Sequence, residues 1–187
     1  MQRPRSWLLL GLVLVAAASR LIPHPPNFTP IGALALFGGA AFADWRVAFA
    51  VPLAAMFLSD LALGAIAGDW GIVFHTNMPA VYLAFVINVF LGMWLLRRRS
   101  ISRVVGVSII GAIQFFVITN LSVWALGNWY PKTWLGLVEC YVAALPFFQN
   151  QLFGDLAFAG VLFGSLALAE RYVPAFRAEL ADAGRNP

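Results

Sequence analysis

The sequence predicts an all-α integral membrane protein, a six-transmembrane-helix bundle with both termini in the cytoplasm. Three observations carry this reading. The 187 residues are 61% hydrophobic and only 11% charged, whereas a soluble domain is about 45–50% apolar and about 25% charged. The apolar residues fall in six runs, at about 7–19, 31–43, 47–67, 80–96, 104–126 and 146–169, and a crossing needs about 20 apolar residues. Basic residues collect at alternate ends of these runs, which gives the bundle an orientation.

The first run lies in "MQRPRSWLLLGLVLVAAASR". Its basic start, short apolar core and Ala16-Ala17-Ala18 would also suit a cleaved signal peptide, leaving five spans and an exported N-terminus. Charge favours keeping it. With six spans, Arg3, Arg5, Arg46, Arg97, Arg98, Arg99, Arg103, Arg171, Arg177 and Arg185 fall inside, and only Arg20 and Lys132 fall outside. The net charge of +4 then reports topology and gives no reason to expect a nucleic-acid partner. The second run is too short to cross comfortably and contains Gly32, Gly38 and Gly39. Short, glycine-interrupted segments of this kind line sites in transporters, because unwound backbone is tolerated beside a cavity. The later runs are long enough to cross. "RRRSISR" (Arg97 to Arg103) anchors an inner loop, and residues 170–187 form a polar cytoplasmic tail, expected as a short surface helix. The chain is a single membrane domain.

This topology leaves three outer loops: Leu21–Pro30, Gly68–Pro79 and Gly127–Glu139. The first, within "RLIPHPPNFTPIG", has four prolines, each fixing φ and removing a donor. A loop so restricted loses less entropy when a ligand docks, so it reads as a preformed wall holding His24, Asn27, Phe28 and Thr29. The second carries Asp69, Trp70, His75, Thr76 and Asn77; the third carries Tyr130, Lys132 and Trp134. Thr76 or Asn77 reads as the N-cap of the next helix, with Pro79 in its first turn. Single Trp and Tyr residues here suit an interfacial belt. Together, aromatics and hydrogen-bonding groups converging from three loops suit a site for a flat or amphipathic small molecule.

Polar groups inside the spans extend the candidate set, since they are costly in lipid. Asp60 and Asp155 sit in similar "DLA" contexts, and Asn88, Asn120, Gln114 and Gln149-Asn150-Gln151 accompany them. Asp155 reads foremost as glue between helices. Tyr82, Tyr141, Asn120 and Asn150, near the outer ends of their spans, join Asp60 as binding candidates. No catalytic or phosphate-loop motif is present, and the single cysteine, Cys140, excludes an internal disulfide.

The stretches "SRLIPHPPNFTPIGALALFGGA", "VPLAAMFLSDLALG", "FHTNMPAVYLAF", "ITNLSVWALGNWYPKTWLGL" and "CYVAALPFFQNQLFGDL" resemble the DUF6580 family of bacterial membrane proteins. The resemblance implies transport across the bacterial cytoplasmic (inner) membrane. That family is similar to the S-components of energy-coupling-factor vitamin transporters, whose outer loops close over a vitamin, and to BtuM-type cobalamin transporters. S-components dock on a shared energising module through an Ala-x-x-x-Ala surface on the first helix; the clustered alanines here leave open a partner module or none. BtuM-type proteins supply a cobalt-ligating cysteine near the start of the fourth helix, where this chain has Ala80. Cys140, His24 and His75 are the remaining candidate ligands to a substrate metal, and Cys140 reads first as a small buried hydrophobe. No protein-held metal and no required cofactor are expected. The expected function is vitamin uptake, with cobalamin the leading substrate. The rivals are a membrane enzyme using His24, His75 and Asp69 as acid/base groups, and a structural subunit without a ligand.

Overall fold

The computed structural model describes residues 4–174. Among them the chain is all-helical. It runs α1 (Pro4–Ser19), α2 (Ile31–Ala41), α3 (Trp45–Ala67), a single 3-10 turn (Trp70–Ile72), α4 (Met78–Leu95), α5 (Ile101–Leu126) and α6 (Trp134–Tyr172). Four of these, α3 to α6, are long and apolar enough to cross a membrane; α1 and α2 are shorter.

The centre of the bundle is α2, which packs against all five other helices. It is apolar on every side, and a helix with no polar face belongs in the interior. Ten of its eleven residues are buried, over a length of only about 16 Å at 1.5 Å per residue. Its glycines allow this density without unwinding the backbone, which stays helical throughout. A Cβ at Gly39 would strike the Val89 carbonyl of α4 and lie 2.9 Å from the Met93 nitrogen. Gly92 of α4 meets the Leu36 backbone in the same way, and Gly38 lies against Pro52 of α3. Small residues at such crossings let helices approach where apolar side chains gain little over lipid.

Around this hub, α1 buries Leu9, Val13, Ala16 and Ala17 against the core. Polar side chains join α4 to α5: Gln114 donates to the Ala84 carbonyl (2.9 Å) and to Asn88 Oδ1 (3.0 Å). At one end, Glu170 of α6 pairs with Arg99 (3.0 Å) and Arg5 (3.6 Å), tying the start of α1 to the α4–α5 turn.

Two expected boundaries move. The third loop ends at Thr133 rather than Glu139, because Thr133 accepts from the Gly136 amide (3.2 Å) and caps a helix that begins at Trp134. That helix passes through Pro146, where the apolar run by itself suggests a start. The tail beyond residue 174 lies outside the described residues.

Candidate substrate-binding cleft

At the other end of the bundle, two adjoining chambers of about 200 Å³ and about 290 Å³ open beneath the first two loops. Asn27, His75, Val81, Phe115 and Gln151 line both, so they form one cleft with a shared wall. The first chamber is the polar one, with Arg20, Thr29, Asp60, Tyr82 and Asp155 around Met56 and Phe85. The second carries no charged side chain and combines Phe115, Phe116, Phe147 and Phe148 with the uncharged polar groups of Asn77, Thr119 and Asn120.

The first loop is clamped onto α6. Asn150 donates to the Pro26 carbonyl (3.0 Å). One turn on, Gly154 admits the loop backbone so closely that a Cβ would lie 3.1 Å from the Thr29 nitrogen. One turn further, Phe158 packs on Phe28 with ring centroids 5.9 Å apart. These residues follow at i, i+4 and i+8, one stripe of the helix. Asn27 bends the loop with φ of 63°, a left-handed conformation that asparagine enters more readily than most residues.

Charge in the first chamber comes from three side chains. Arg20, just past α1, pairs with Asp60 of α3 at 2.7 Å and donates to Ser59 Oγ. Both side chains of the pair are nearly buried, and in such a place each ion needs the other. Asp155 of α6 is only 3% exposed. Its Oδ1 accepts from the Ala33 amide of α2 at 3.2 Å. The residue at the N-cap of α2 is Pro30, which makes no side-chain cap. Asp155 therefore supplies from another helix the acceptor that an N-cap residue normally provides. Gly32 makes the approach feasible, since a Cβ there would sit 2.7 Å from Asp155 Oδ2. The glue role expected of Asp155 is seen, in a residue that also lines the chamber.

Of the residues proposed from sequence, Asn27, Thr29, Asp60, His75, Asn77, Tyr82 and Asn120 line the cleft. The others do not. His24 is exposed, its Nδ1 3.0 Å from the Pro25 carbonyl. Asp69 is taken up locally, accepting from the Gly71 amide. Phe28 and Asn150 hold the loop from behind. Ala80, in the first turn of α4, lines neither chamber. Tyr141 donates to the Val117 carbonyl (2.7 Å) and packs edge-on against Phe116. Cys140 is buried with Sγ 3.5 Å from the Asn120 carbonyl, so neither it nor His24 joins His75 at the cleft. Tyr130 and the exposed Trp134 stay outside because the third loop closes on itself: Lys132 donates to the Trp124 and Gly127 carbonyls, and Trp124 Nε1 donates to Pro131 (2.9 Å). Of the three acid/base candidates, His75 alone lines the cleft. Among the described residues no three His, Cys, Asp or Glu side chains form a metal-binding group.

Asn77 does occupy the N-cap position of α4, yet its side chain makes no cap and instead accepts from Ser122 Oγ of α5 at 3.0 Å. The polar and aromatic lining residues outside the binding candidates read from sequence are Arg20, Thr119, Gln151, Asp155 and the phenylalanines of α4 to α6. Gln151 belonged to a conspicuous polar run. Arg20 had counted only toward topology, and no periodicity separates cleft phenylalanines from lipid-facing ones.

The chain belongs to the DUF6580 family, described as a family of unknown function, whose model matches residues 1–176. No curated protein and no solved structure matches it.

Proposed function

We propose that this member of the DUF6580 family is a substrate-binding membrane protein for uptake of a vitamin-type small molecule. The observation that carries the reading is the cleft itself. It holds charged side chains in one chamber and phenylalanines with uncharged polar groups in the other, and is walled by a loop held against α6. Small-molecule sites are concave and mostly apolar, with a few placed polar groups. In this proposal all six helices cross the bacterial cytoplasmic membrane with both termini inside, and the cleft faces outward. The cluster of Arg5, Arg99 and Glu170 at the far end supports it, because basic residues favour the cytoplasmic face. An energising partner module, or none, is compatible with the α1 sequence.

Cobalamin is the first compound to assay. Ligand pockets for drug-sized molecules run to about 300–1,000 Å³, above either chamber taken singly, so a corrin would require the outer loops to part. Ala80 offers it no thiolate. The test is the species that co-purifies, identified by absorbance and mass spectrometry, followed by thermal stabilisation with that compound. At 100 times its dissociation constant a ligand adds about 2.7 kcal/mol. Corrin absorbance retained through size exclusion would identify cobalamin. Absence of any retained or stabilising small molecule would overturn the uptake reading in favour of a structural subunit.

A further inference from the structure

The charge of the first chamber is unbalanced. Its charged side chains are Arg20, Asp60 and Asp155, and Arg20 is committed to Asp60 at 2.7 Å. Among the described residues no lysine, arginine or histidine comes within 4.0 Å of the Asp155 carboxylate. Its partners are uncharged: the Ala33 amide at the start of α2 and the Gln151 side chain one turn back on α6. A helix N-terminus carries about half a positive charge, so the group has partial compensation there and no full cation of its own. Gly32 lets the carboxylate pack directly on the first turn of α2, since a Cβ there would lie 2.7 Å from Oδ2. Phe85 and Phe115, with centroids 5.1 Å apart, line the same chamber together with Tyr82. A carboxylate joined by aromatic rings is the combination that recognises an organic cation, by ion pairing and by the negative potential of the ring faces.

We propose that the ligand is an organic cation, an amine or an N-alkylated heteroaromatic, whose positive charge sits beside Asp155, Phe85 and Phe115. Its apolar body extends into the second chamber among Phe116, Phe147 and Phe148. This rests on the cleft being a ligand site and adds the class of ligand. The discrimination follows from the site: a neutral analogue leaves the buried carboxylate unpaired, and an anionic one is repelled by it.

A charge series on one ring system tests the idea with the full-length protein in detergent or nanodiscs. Tryptamine, tryptophol and indole-3-acetate carry the same indole with a cationic, neutral or anionic side chain. Titration calorimetry should show tryptamine binding at least tenfold tighter than tryptophol, with indole-3-acetate weakest. Asp155→Asn retains an oxygen for the Ala33 amide and should abolish the preference for the cation. If that variant does not fold, the wild-type series decides the matter alone. No binding of tryptamine, equal binding of the three, or a preference that survives in Asp155→Asn overturns the proposal. A co-purifying cation supports it. A co-purifying neutral or anionic molecule overturns the cation class while leaving the uptake reading intact.

Discussion

Asp60 and Asp155 occupy similar "DLA" contexts in sequence, and the fold gives them different partners. Asp60 meets an arginine from beyond the end of α1, whereas Asp155 meets a backbone amide of α2. Because the Arg20–Asp60 pair is nearly buried, removing one member strands the other. Arg20→Ala should destabilise the protein by up to about 3 kcal/mol, toward the low end for a buried pair. Arg20→Ala with Asp60→Ala should recover part of that loss, since the stranded carboxylate is gone. Thermal unfolding of the two singles and the double measures the coupling; a strictly additive double would show that the pair contributes nothing. At this scale the sequence identifies the polar residues that lipid would penalise, but their partners lie tens of residues away, as Arg20 is from Asp60 and Asn77 from Ser122.

Among the elements, α2 departs most from its sequence reading. Its glycines suggested unwound backbone beside a site, and they turn out to be points of close approach between intact helices. Only its first turn, Ile31 and Gly32, reaches the cleft. Gly39→Ala places a methyl against backbone of α4, which cannot rotate away as a side chain could. Overpacking of this kind costs about 1–3 kcal/mol, read as a lower unfolding temperature in detergent. Gly11→Ala, where a Cβ meets nothing within 4 Å, should be neutral or slightly stabilising, as alanine is the better helix former. Equal losses at both positions would refute the close-approach account. The first loop matches its reading in part: Asn27 and Thr29 line the cleft, whereas His24 and Phe28 do not. What holds the loop is α6, through Asn150, Gly154 and Phe158.

Across the whole molecule, the cleft gathers residues from the first two loops and from α2 to α6, while the arginine cluster marks the far end. The orientation can be tested with single cysteines. In a Cys140→Ala background, cysteines at the exposed Ser100 and Asn128 should react with a membrane-impermeant maleimide from opposite faces, Asn128→Cys from outside. Labelling of both from the same face would end the six-crossing proposal.

Composition and hydropathy suffice for the membrane class and for most of the helices, because both depend on properties summed along a local window of chain. Charge placement suggests an orientation for the same reason. The makeup of the cleft is not additive in that way. Whether His24 or His75 reaches it, whether a phenylalanine faces ligand or lipid, and whether an aspartate gains a cation or an amide depend on the rotation and contacts of separate helices. Packing around α2 settles those questions, since a buried carboxylate is stable only where another part of the chain brings it a partner.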